Sequence, residues 1–265
     1  MSCLTTDDMA SVTLTRCLIT RSRAYLGGAI HVDHNANLDL VGCTLSANSA
    51  NQGGAVLAQG DTTSMAFGCK LTANSASHGG AVFASGYSAI AITQSTITSN
   101  YGVHGGAVHS DGDAVVCLAD CLLESNLAAE SGGAVYSDSH SRIDLLRSDI
   151  ISNNSSGWGG AVVAHASSYV FCAHGLFSRN SADSGGAVNT DDMAMFSVFN
   201  TTMTYNTATY TGGMGSAHGH STINVLESTI SANSADLGGV FDGVNEGRFY
   251  ALVSTMTYNT ATWGK

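Results

Sequence analysis

The chain has 265 residues, a formal net charge of −11 and only 11% charged residues. Such an acidic balance excludes the basic surface that nucleic acids and anionic lipids require, and 44% hydrophobic residues exclude a disordered acidic tail. Proline is absent while glycine reaches 31, which suits a backbone engaged in β-ladders almost throughout, where proline cannot donate and glycine makes corners.

In chain order, the opening Met1-Ser2-Cys3-Leu4 has no basic segment followed by an apolar stretch, so no secretory leader is expected. No apolar run approaches the roughly 20 residues of a membrane helix, so no membrane insertion is expected either. The first pattern is an alternation, Val12 and Leu14, followed by Cys17. Glycine pairs then start at Gly27, Gly53, Gly79, Gly105, Gly132, Gly159, Gly185, Gly212 and Gly238, at spacings of 26 or 27 residues. After each pair a short strand is predicted, such as Ala81-Val82-Phe83-Ala84. A second strand alternates, as in Ile90 and Ile92 or Ile143 and Leu145, and a third is short, as in Thr96-Ile97-Thr98. Each has period two, and no stretch sustains the 3.6-residue period of a helix. The last partial repeat ends at Thr262-Trp263-Gly264-Lys265, where another glycine pair would begin.

Three short strands and three corners per repeat describe one coil of a right-handed parallel β-helix, an all-β solenoid. One coil cannot bury its own apolar face, but stacked coils can. Residues 1–265 therefore read as a single repeat domain of about ten coils, a rod of roughly 48 Å at about 4.8 Å per coil. Repeat positions become columns. Asn48, Asn74, Asn100, Asn126, Asn153, Asn180, Asn206, Asn233 and Asn259 form one column, expected at an inward corner where the amides bond from coil to coil. Five residues earlier stand Cys17, Cys43, Cys69, Ser95, Cys121, Ser148, Gly175, Thr201, Ser228 and Ser254. Only small side chains occur there, so a tight inward corner is expected, with cysteine as a small hydrophobe. Neighbouring Cα atoms about 4.8 Å apart fall within disulfide range, which leaves a Cys17–Cys43 or Cys43–Cys69 bond open. Seven cysteines cannot all pair within the chain. Ligands in one line cannot enclose a tetrahedral ion, so neither a metal nor a cofactor is expected.

Seven of the nine glycine pairs read Gly-Gly-Ala-Ile or Gly-Gly-Ala-Val, and each coil adds an apolar-x-x-Asn motif, such as Leu45-Ser46-Ala47-Asn48, Ile97-Thr98-Ser99-Asn100 and Phe177-Ser178-Arg179-Asn180. This pairing resembles the repeats of chlamydial polymorphic outer membrane proteins and related β-helix surface proteins. The family favours phenylalanine in the second motif, which only Phe177 supplies, and the copies at Gly212 and Gly238 are degenerate. The resemblance implies a passenger-like rod displayed at a cell surface or outside the cell, for adhesion or structure. It implies no catalytic residues.

Six residues after each first glycine lies the row Asp33, Gln59, Ser85, Asp111, Asp138, His165, Asp191, His218 and Val244, with Asp7 in the first coil. Aspartate commonly caps turns, and this row ends the first strand. In an enzyme acting on acidic polysaccharides, the acid–base groups would be Asp111, Asp138, His165 and Asp191, because carboxylates that close shift one another's pKa and a retaining glycosidase needs a pair about 5–5.5 Å apart. His109 and Tyr136 share that strand face, and His78 and His104 stand in one column before the glycines. The third strand offers outward Thr-x-Thr rows, Thr96/Thr98, Thr202/Thr204 and Thr255/Thr257, broken by Glu124, Asp149 and Ile151. Such rows resemble ice-binding faces, although threonine also simply suits exposed strands. Asn154-Ser155-Ser156 and Asn200-Thr201-Thr202 are glycosylation sequons outside the ladder. No amphipathic capping helix is apparent at either end, so a slice of a longer solenoid or end-to-end stacking into an open fibre is expected. The expected function is non-enzymatic, with partners among further copies, surface proteins or glycans.

Overall fold

The computed structural model describes residues 4–263, and within them every regular element is a β-strand. Three ten-stranded parallel sheets run the length of the molecule. The first collects the strands after the glycine pairs, from Leu4–Thr6 to Phe241–Gly243; the second runs from Ser11–Thr15 to Arg248–Leu252; the third runs from Leu18–Thr20 to Thr255–Thr257. Each strand pairs with its counterpart one repeat away: Val82 with Val108, Ile90 with Val116, Ile97 with Leu123. The parallel solenoid of about ten coils follows, because the repeat length sets the register.

A fourth sheet was not foreseen in the sequence. Seven strands, from Tyr101–His104 to Thr260–Ala261, pair between the asparagine corner and the glycines. This segment also absorbs the difference between repeats of 26 and 27 residues. Gly102 pairs with Ala128, but two residues later His104 pairs with Ser131, and the same slip separates Ala182 from Ser184. A bulge confines the extra residue to this one side and leaves the other three sheets in register.

The core is a set of columns. Leu38, Ile90, Val116, Ile143, Val170, Phe196 and Ile223 stack beneath the second sheet, and Leu45, Leu71, Ile97, Leu123, Ile150, Phe177, Met203 and Ile230 beneath the third. Each buried aliphatic side chain contributes roughly 1.5–3 kcal/mol relative to exposure. In the third coil Ser64 and Ala66 replace larger residues, and they border a void of about 20 Å³. The Ser64 hydroxyl there has no hydrogen-bond partner.

Corners are made by residues in the left-handed region, glycine or not, mostly one at a time and in four turns two in succession, as at Asp192 and Met193. In the coil that begins at Gly79 they are Gly79 (φ 63°), Gly86 (φ 70°), Gln94 (φ 49°) and Ser99 (φ 56°). The glycine pair has a further reason. A Cβ on Gly133 would run into the carbonyl of Gly160 in the next coil, so backbone packing leaves no room for a side chain.

Candidate functional site

The two inward corners carry side-chain ladders. Asn74 Nδ2 and its own backbone N–H both donate to Asn100 Oδ1, at 3.1 and 2.9 Å, and Nδ2 also donates to the carbonyl of Leu45 at 3.0 Å. The pattern repeats along the column to Asn233 and Asn259. Each interior amide thus fills both donor and both acceptor sites inside the core. Its first effect is local, since it holds the residue after a left-handed corner. Its second is long-range, since every coil is tied to the next by a polar group that cannot be satisfied in another register.

The cysteine column forms the second ladder. Backbone N–H groups donate to the γ atom one coil on: Cys17 to Cys43 Sγ at 3.4 Å, Cys69 to Ser95 Oγ at 2.9 Å, Cys121 to Ser148 Oγ at 3.1 Å and Thr201 to Ser228 Oγ at 3.1 Å. Cys43, Cys69 and Cys121 do pack in the apolar core as small side chains, and the column adds a γ heteroatom that serves as an acceptor. Cys17, Cys43, Cys69, Cys117, Cys121 and Cys172 are free thiols, so neither Cys17–Cys43 nor Cys43–Cys69 is bonded. Cys3, like Gly264 of the last repeat, lies outside the described residues. Burial pushes the Cys121 thiol up to about 11 and that of Cys172 up to about 12.

The aspartate row closes the turns after the first strand. Asp111, Asp138 and Asp191 each accept, through Oδ1, the N–H of the following residue at 2.7–2.8 Å. The same oxygens also reach the next coil. Ser139 Oγ donates to Asp111 at 2.7 Å, and His165 Nδ1 meets Asp138 Oδ1 at 2.9 Å. Farther along, Gln59 Nε2 donates to Asp33 Oδ2 at 2.6 Å. The four residues Asp111, Asp138, His165 and Asp191 do occupy one row, but Oδ1 of each aspartate is engaged in a turn cap, and those of Asp111 and Asp138 also link to the next coil.

Beside this row lies an aromatic furrow on the outer face of the first sheet. The central residue of each strand points away from the core, yet Leu57, Phe83, His109, Tyr136 and Val163 are all buried. They are covered by the turns on one side and by the segment before the glycines on the other. His109 meets Phe83 and Tyr136 edge-on at centroid distances of 4.9 and 4.8 Å, and His78 and His104 stack at 5.5 Å beside it. Both His109 ring nitrogens lack a hydrogen-bond partner. Burial, then the neighbouring His78 and His104, holds its imidazole well below the ordinary histidine range. Burial, then Asp138, raises the Tyr136 phenol, which stays protonated. Among the described residues no three His, Cys, Asp or Glu side chains are grouped to hold a metal ion. The sequence carried a hint of this cluster in the spacing of His78, His104 and His109, but not that the outward position would be covered.

On the third sheet the hydroxyls of the Thr-x-Thr rows bond to one another, Thr98 to Thr72 at 3.3 Å and Thr204 with Ser231 at 3.1 Å. Of the two sequons, Asn154 is exposed and donates to Ser181 Oγ at 2.6 Å, and Asn200 sits at a left-handed corner against His174.

No protein-family model, curated protein or solved structure matches this chain.

Proposed function

We propose that the chain is a non-enzymatic structural and adhesive rod, displayed outside the cell or at its surface. The observation that carries this reading is the unbroken register, in which about ten coils are tied along one corner by a continuous asparagine ladder and along a second by a γ-atom ladder interrupted at Gly175. A structure of this kind resists bending and shear between coils and presents repeated rows on flat faces, which suits contact with a surface protein, a glycan or another subunit. The Gly-Gly-Ala-Val and apolar-x-x-Asn motifs support a surface location. The engagement of Asp111, Asp138 and Asp191 in turn caps favours a structural role for that row over acid–base work.

End-to-end stacking is part of the proposal, because each ladder runs in one direction and a further coil would extend it. Negative-stain images of the purified chain should show filaments of rod-like units, and isolated short rods would count against stacking. The enzymatic alternative is tested with acidic polysaccharides, with and without calcium. No turnover is expected, and turnover abolished by Asp138→Asn would overturn the reading.

A further inference from the structure

The outward positions of the second sheet are unlike those of the third. The third sheet shows water mostly threonine and serine. The second shows Val41, Met65, Phe67, Val115 and Met195, each at least 39% exposed, on a flat run of ten strands. At about 4.8 Å per coil and about 3.3 Å per residue, this face measures roughly 48 by 17 Å. That is roughly 800 Å², the area one partner contributes to a stable protein interface.

The charges on the face point to what covers it. Its outward positions hold four charged residues, Asp39, Arg142, Asp144 and Arg248. Their sum is zero, so the whole net charge of −11 is carried elsewhere. Two copies therefore meet no net like-charge repulsion across this face. The four are also spaced evenly. Asp39 lies in the second coil, the Arg142–Asp144 pair (Nε to Oδ1, 3.0 Å) in the sixth, and Arg248 in the tenth. Two rods facing each other in the same direction would set Asp39 against Asp39 and Arg248 against Arg248. Reversing one rod about the sixth coil sets Asp39 level with the partner's Arg248 at both ends, and the Arg142 and Asp144 that then face their own copies are each already neutralised within the chain by the ion pair between them.

We propose that this chain forms a closed, antiparallel dimer through the outer face of its second sheet, with a second copy of itself as the partner. A two-fold contact is self-complementary and stops at two subunits, whereas end-to-end stacking is open. The two modes are therefore separable, and the dimer does not depend on the stacking proposed above.

Sedimentation velocity from low to high micromolar concentration should show a dimer of the full chain. The double substitution Met65→Glu/Met195→Glu lies outside the core, so it should keep the β-sheet spectrum and melting temperature while weakening dimerisation by at least ~10-fold. Orientation is read by oxidising a mixture of two variants, Asp39→Cys and Arg248→Cys, and mapping the cross-linked peptides. A link between position 39 of one copy and position 248 of the other is expected. A monomer at high micromolar concentration, a face-to-face dimer that survives the methionine substitutions, or a link between two copies of position 39 would each overturn the proposal.

Discussion

Removing one rung from the middle of the asparagine ladder tests the energetics of the fold. In Asn126→Ala four hydrogen bonds are lost. Two reach Asn126 Oδ1 from the backbone N–H and Nδ2 of Asn100, each at 3.0 Å, and two leave Asn126 Nδ2 for the Ile97 carbonyl at 2.9 Å and Asn153 Oδ1 at 3.0 Å. Asn100 Nδ2 keeps its bond to Leu71, but the buried Asn100 N–H loses its side-chain acceptor. At about 1 kcal/mol net for each of the four bonds, with a further about 1–3 kcal/mol for a buried orphan donor, the expected loss is about 5–7 kcal/mol. Asn126→Asp keeps the acceptor but turns a second oxygen toward the Ile97 carbonyl and Asn153 Oδ1. That variant should be at least as damaging near neutral pH and should recover in acid, where a carboxylic acid can donate. Urea unfolding gives the overall cost, and amide exchange at Asn100 gives the local one. Local readout matters because long repeat arrays unfold in parts. Asn259→Ala, in the last coil, should cost clearly less. The reasoning fails if Asn126→Ala costs under ~0.5 kcal/mol, the level of a neutral surface change, or if exchange at Asn100 is unaltered.

Ser64→Val should stabilise the third coil by about 0.5–2 kcal/mol, since it fills a void and removes an unpartnered hydroxyl; a lower urea midpoint would contradict this. The His109 imidazole is depressed in the folded state, so below the ordinary histidine range the unfolded chain takes up a proton that the fold refuses. Stability should therefore fall between about pH 7 and about pH 5. His109→Phe should flatten that part of the profile, and an unchanged slope would show that other groups carry it. The raised thiols of Cys121 and Cys172 should resist alkylation at mildly alkaline pH until the chain is unfolded. Their modification at the rate of the unfolded chain, followed by mass spectrometry, would place them outside the core.

The fold was legible because its signals repeat. One Gly-Gly pair says little, but nine at spacings of 26 or 27 residues set a register, and the asparagines at Asn48 to Asn259 mark the same corner in nine successive coils. What stayed hidden was local and aperiodic. The fourth sheet has strands as short as Asn154–Ser155, with a single small inward residue such as Ala128, Ser155 or Ala182, so it offers no alternation to read. The role of the cysteine column was present in its composition, since every member but Gly175 bears a γ oxygen or sulfur, yet small size explained the same residues. The furrow around His109 depends on covering segments that the strand pattern does not describe. The candidate row Asp111 to Asp191 could be placed on one line from spacing alone, but the bonds that occupy its oxygens come from Ser139, His165 and the turn backbone.

The coils lie in register, amide over amide. Nuclear magnetic resonance of the asparagine-labelled chain measures this directly, through couplings across hydrogen bonds from each asparagine backbone N–H to the side-chain carbonyl carbon of the next coil. Asn74 should couple to Asn100, Asn100 to Asn126, and so on along the column. Asparagine amides that couple only within their own residue, or exchange freely with water, would contradict the ladder and the solenoid built on it.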